Sequence, residues 1–126
     1  MDRLLAICFA GALGTGARYL LGLWAGERFG AAFPYGTLIV NTAGCFLMAL
    51  VMQVAVLRTN MPETLRLALT TGFMGGLTTY SSFNYETTHL LQNGAYTSAA
   101  VNLGATLLAC FAAGALGMLL ARAIAA

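Results

Sequence analysis

The chain has 126 residues, 60% hydrophobic and only 8% charged, with a net charge of +2. A soluble domain carries about 25% charged residues, so this composition excludes an ordinary cytosolic enzyme, a disordered chain and a secreted disulfide scaffold. It identifies a multi-pass protein of the lipid bilayer, one domain over 1–126, and the slight excess of arginine over acid gives no case for nucleic acid.

A spanning helix needs about 20 mostly apolar residues. The first expected span covers 4–25 and is interrupted only by Arg18. It reads as a retained span rather than a cleaved leader, because similar segments recur to the end of the chain. Glu27 and Arg28 follow, then an aromatic loop with Phe29, Phe33, Pro34 and Tyr35. Trp24 and Tyr35 suit the water–lipid interface, where a ring keeps its polar end wet. The second span covers 36–57. The most polar stretch comes next, with Arg58, Thr59, Asn60, Pro62, Glu63 and Arg66; Pro62 with Glu63 behind it reads as a helix start.

The third span, 65–91, is unusual. Gly75-Gly76 is a poor place to continue a helix, and the hydroxyl run Thr78-Thr79-Tyr80-Ser81-Ser82 follows at once. One reading is a span broken near its centre, tolerated at membrane depth only where protein or water covers the freed backbone groups. The other is a continuous glycine-kinked helix whose Ser and Thr bond back to the preceding turn. The broken span is the expectation adopted. Gln92-Asn93-Gly94 makes a turn, and the fourth span covers 96–121 with Arg122 at its end.

Four spans put both termini on one side, with Arg3, Arg58, Arg66 and Arg122, against Arg28 on the other; that side is then the cytoplasm. Ala12 and Gly16, and Gly22 and Gly26, have the four-residue spacing that lets helices approach closely in lipid. Four helices leave little interior, so a pore needs more than one subunit. Cys8, Cys45 and Cys110 lie in apolar stretches without zinc spacing and read as packing residues.

Polar groups inside a membrane are functional candidates. Arg18 lies about 21 Å along its span at 1.5 Å per residue. It fits an anion-attracting charge in a polar vestibule, and equally an arginine held by neighbouring carbonyls. Thr37, Asn41 and Cys45 recur every four residues on one face of the second span; Asn102, Thr106 and Cys110 do so on the fourth. Facing one another, the two stripes would offer donors to an anion that has lost its water. Tyr80 and Phe83 share a face after the expected break, and an aromatic edge is positive. Glu86, one turn on, reads either as a gating carboxylate or as the interfacial end of the span. No Ser, Cys or Thr has a base at motif spacing, so no enzyme is expected.

Gly36-Thr37-Leu38-Ile39-Val40-Asn41, the run from Gly72 to Phe83, and Gly14-Thr15-Gly16-Ala17-Arg18-Tyr19 together resemble the Fluc (CrcB) family of fluoride channels over essentially the whole chain. The resemblance implies an all-α membrane protein of four helices, the third broken, assembled as an antiparallel, dual-topology homodimer. Two fluoride pores would follow the subunit interfaces, and a structural sodium ion would sit at the dimer centre on the backbone carbonyls of Gly75 and Thr78. It implies a pore-lining amide at Asn41, a box ring at Phe83, a track hydroxyl at Thr106, the first-helix arginine at Arg18 and an acidic position at Glu86. Thr37, Ser81 and Cys110 complete the expected pore set. Two positions depart from the pattern: Tyr80 replaces the usual first box phenylalanine, and Cys110 replaces a common track hydroxyl with a weaker donor. The arginine bias sits uneasily with insertion in both directions, so an oppositely biased paralogue is the alternative partner to a second copy. The expected activity is passive export of fluoride across a bacterial inner membrane. A proton-coupled exporter of the small multidrug resistance kind is the alternative, but it needs a carboxylate deep in the first span, where Arg18 stands.

Overall fold

The computed structural model describes residues 1–58 and 60–125; Thr59 of the polar loop and Ala126 lie outside the described residues. Six α-helices follow in order: α1 (Asp2–Phe29), α2 (Tyr35–Leu57), α3 (Glu63–Leu67), α4 (Gly75–Leu77), α5 (Tyr80–Gln92) and α6 (Tyr96–Ala125). A π-helical segment, Ala68–Met74, joins α3 to α4, so 63–77 is one continuous helical rod. The long helices α1, α2 and α6 are each apolar and long enough to cross a bilayer, and they extend one to four residues beyond the expected spans at one or both ends.

The fold is inside-out by the standard of a soluble protein. Phe111 is 78% exposed and Leu108 75%, while Asn41, Thr70, Thr79, Thr87, Asn102 and Thr106 are all buried. Such an arrangement suits lipid outside and hydrogen bonds within. The apolar core is small: Val40, Met74 and Leu77, with Ala17, Leu21, Leu47, Met48 and Phe73 packed against them.

Glycine sets how closely the helices approach, but not at the pairs expected from spacing. A side chain at Gly72 would meet the Ile7 carbonyl at 2.7 Å and the Ala10 methyl at 2.9 Å. One at Gly76 would strike the Gly11 carbonyl and the Thr15 amide, and one at Gly14 the Phe73 carbonyl. The rod 63–77 therefore lies backbone-to-backbone on α1. Gly16, Gly22 and Gly26 have open space where a side chain would go, and Ala12 is exposed. Their spacing is right for packing, but they sit on the outward side of α1, although Gly22 lies close beneath Gly36. On the other side, Gly117 of α6 seats against Phe46 and Ala49 of α2, within the most extensive helix pair of the fold.

The helix breaks after Leu77, not at Gly75-Gly76. Both glycines are helical, and Gly76 serves packing rather than rupture, while Gly75 is exposed. Thr78 (φ −86°, ψ 156°) and Thr79 (φ −153°, ψ 111°) are extended. The rod starts where Pro62 and Glu63 place it. Asn93 and Gly94, the latter at φ +74°, turn the chain from α5 into α6. Trp24, Phe29, Phe33 and Tyr35 form one chain of ring contacts with centroids 4.8–5.7 Å apart.

Candidate functional site

The break is held open by α2. The Asn41 side-chain amide donates to the Thr79 carbonyl at 3.0 Å, and the Thr79 amide donates to Asn41 Oδ1 at 2.7 Å. One side chain thus meets both backbone groups of an extended residue, as a neighbouring strand would. A turn further along α2, Gly44 leaves room for the Thr78 methyl. Thr79 then restarts the helix: its Oγ1 accepts from the Ser82 amide at 3.1 Å, an N-cap contact.

These bonds redirect two donors. In an unbroken helix the Thr79 amide would serve the Gly75 carbonyl, and the Ser82 amide the Thr78 carbonyl. Here the first goes to Asn41 and the second to Thr79 Oγ1. The Gly75 and Thr78 carbonyls are thereby released from those partners, and Gly75 is exposed. Backbone oxygens of this kind are hard ligands, suited to a small hard cation.

Two cavities adjoin the break, and a third shares a wall with one of them. The largest, about 820 Å³, lies between α2, the break and α6; Asn41, Cys45, Tyr80, Phe83, Thr106 and Cys110 are among its lining residues. A second, about 400 Å³, is lined by Arg18, Tyr19, Thr37, Thr79 and Ser82. A third, about 290 Å³, holds Thr37, Tyr85, Glu86 and His89. Thr79 borders the first and second cavities, and Thr37 the second and third. The polar groups therefore line a series of spaces along one flank of the fold.

The expected site residues distribute along this series. Arg18 is half-buried and, among the described residues, has no ion pair. Thr37 does not face the α6 stripe as expected. It turns the other way and donates to Glu86 Oε1 at 2.7 Å, while Glu86 Oε2 is buried without a partner. A helix stripe seen as one face in sequence is thus divided between two cavities: Thr37 on one, Cys45 on the other, and Asn41 at the break between them. Glu86 is thus a positioned group, held against the start of α2. Phe83 is buried and Tyr80 is 79% exposed, with ring centroids 5.8 Å apart and planes at 61°. Ser81 is exposed, its hydroxyl 3.3 Å from that of Thr79.

Asn102 lies in a different role from its stripe neighbours Thr106 and Cys110. It donates to Thr87 Oγ1 at 2.9 Å, and the Thr87 hydroxyl donates to the Phe83 carbonyl at 2.7 Å. This chain ties α6 to α5 and fixes the helix that carries Phe83. The roles of Thr79, Gly44 and Thr87 were missed by the sequence reading. A Thr-x-x-Ser spacing at 79–82 is the one signal that marks the restart.

The sequence comparisons agree with one another. A family model described as CrcB-like protein, Camphor Resistance (CrcB), matches residues 5–118. A protein of Anaeromyxobacter dehalogenans named fluoride-specific ion channel FluC is 52% identical over 122 residues, covering 97% of each chain. A protein of the same name from Geobacter metallireducens is 50% identical over 122 residues, covering 97% of this chain and 98% of the relative. A third so named, from Citrifermentans bemidjiense, is 45% identical over 124 residues, covering 98% of this chain and all of the relative. With its interrupted helix docked on Asn41 and a match over nearly its full length, this chain belongs to the CrcB family.

Proposed function

We propose that the chain is the subunit of a fluoride-selective channel, a transport protein and not an enzyme, that lets cytoplasmic fluoride leave passively through a bacterial inner membrane. The observation that carries this reading is the series of cavities meeting at Thr37 and Thr79, in a chain about half identical to proteins named fluoride-specific ion channels.

Fluoride is small and strongly hydrated, so a path must replace its water with donors. Arg18 offers a positive charge at the second cavity. Asn41, Ser81 and Thr106 offer hydroxyl or amide donors beyond it, while the Thr37 hydroxyl is given to Glu86. Tyr80 and Phe83 offer ring edges, which attract an anion without the formal charge that would trap it. Cys110 offers the weakest donor of the set. The inside-negative potential supplies about 2.3 kcal/mol per 100 mV for each fluoride that leaves. Such a path needs neither ATP nor a proton gradient. Thr37 holds Glu86 beside the path, where the carboxylate repels anions unless it turns aside or is protonated, which gives it a gating position.

The 63–77 rod and α5 together supply the third of four membrane crossings. The subunit pairs with an inverted second copy, enclosing two pores at the interfaces. Few charges oppose insertion in either direction, although the arginine bias makes an oppositely biased paralogue the alternative partner. The exposed Gly75 and the freed Thr78 carbonyl fit a structural sodium ion at the centre of that dimer. When bound, the ion neutralises carbonyls that otherwise lie unpaired at membrane depth.

Purified protein in liposomes tests the reading. Rapid loss of fluoride without loss of chloride, in the absence of a proton gradient, is the expected result. Flux that demands a proton gradient would replace the channel with a coupled exporter.

A further inference from the structure

The largest cavity carries sulfur as well as hydroxyls. Cys45, Met48 and Met52 of α2 and Cys110 and Met118 of α6 all line it. The two thiols line the same cavity from neighbouring helices. α2 and α6 run side by side at this level, since Gly114 of α6 lies against the Cys45 carbonyl and Gly117 against Phe46. The thiol pair is therefore held by the most extensively packed helices of the fold, one helical turn beyond Asn41 on α2 and one beyond Thr106 on α6.

We propose that Cys45 and Cys110 form a binding site for a soft, two-coordinate d10 cation, of which the mercuric ion is the type. Thiolate and thioether sulfur select soft metals over hard ones. Zinc is disfavoured because a structural zinc site wants four ligands, and no cluster of three or more His, Cys, Asp or Glu exists among the described residues. Two sulfurs suffice for a linear ion. Binding breaks two S–H bonds, forms two S–Hg bonds and releases two protons. The product is neutral and leaves no net charge in a largely apolar cavity, where an unpaired charge is costly. Met48 lies one turn from Cys45 and supplies a neutral thioether to the same cavity.

The site predicts a block. An ion bridging α2 and α6 occupies the cavity that Asn41, Phe83 and Thr106 line, and fluoride flux stops. This consequence rests on the channel reading; the binding itself does not.

The test uses full-length protein carrying Cys8→Ser, which keeps both facing thiols and removes the third. Mercuric chloride is titrated into it in detergent, following the ultraviolet sulfur-to-mercury absorption. Saturation at one ion per subunit with release of two protons is expected; saturation at two ions, one per thiol, would overturn the site. Adding Cys45→Ser or Cys110→Ser should weaken retention against a competing dithiol by at least about tenfold, or 1.4 kcal/mol, and equal retention overturns it as well. Fluoride efflux from liposomes is then read with and without the ion. One-to-one binding with efflux intact would uphold the metal site and remove this cavity from the fluoride path.

Discussion

Replacing Asn41 tests the whole arrangement, because two buried bonds to Thr79 depend on that one side chain. Asn41→Ala removes both. It leaves the Thr79 amide and carbonyl without partners in a buried position. Each buried group deprived of its partner costs about 1–3 kcal/mol, so the expected loss is about 2–6 kcal/mol. Thermal unfolding in detergent reads the stability, and fluoride efflux from liposomes reads the path. Asn41→Ala should unfold well below the native protein and lose most of its flux. An Asn41→Ala protein that matches the native one in both measurements would refute the claim that this side chain holds the break.

Three other substitutions extend the argument. Gly76→Val forces a side chain against the Gly11 carbonyl and the Thr15 amide and should cost at least about 1–3 kcal/mol in unfolding experiments, whereas Gly16→Ala, which meets open space within α1, should leave the unfolding temperature of the isolated subunit no lower and raise it slightly through helix propensity. Tyr80→Phe removes a hydroxyl able to hold fluoride, so efflux should be faster than in the native protein with chloride still excluded; slower efflux would contradict a donor role for that hydroxyl. Thr37→Val deprives Glu86 Oε1 of its donor, a charge-assisted bond of about 1.5–3 kcal/mol, and should lower fluoride flux with little change in assembly, read by efflux beside gel filtration.

How much of this was legible in the sequence depended on the range of the interaction. The long helices follow from apolar length, a local property, and the start at Pro62 and the turn at Asn93-Gly94 follow from equally local backbone chemistry. A disturbed third span was visible in Gly75-Gly76 and the hydroxyl run. Its point of rupture was not, because a glycine is a weak helix former in isolation but a close-packing residue once α1 lies against it. The choice is made by Gly11 and Thr15, some 60 residues away in sequence. The polar stripes were visible as helical periodicity. Their division was not, since periodicity gives the face of a helix but not the partners on either side of it. Thr37 and Cys45 sit on one stripe, yet one meets Glu86 and the other shares a cavity with Cys110.

The geometry at Thr79 couples the stability of the subunit to the shape of its path. A regular helix would bury its own backbone groups and leave no polar surface for an ion. The break exposes such groups, and α2 must then satisfy some of them so that the remainder can be left free. Asn41 takes the Thr79 amide and carbonyl, Thr79 takes the Ser82 amide, and the Gly75 and Thr78 carbonyls remain outside these exchanges. The Thr79 residue that receives those bonds also walls two of the cavities. Stabilising the break by restoring a continuous helix would therefore close the surface that the break provides. Conversely, a substitution at the exposed Tyr80 that leaves the break extended should change flux without changing the unfolding temperature. Asn41 belongs to both sets, since it holds the break and lines the largest cavity, whereas Tyr80 belongs to the path alone, so stability and flux read on the same variants separate the two roles.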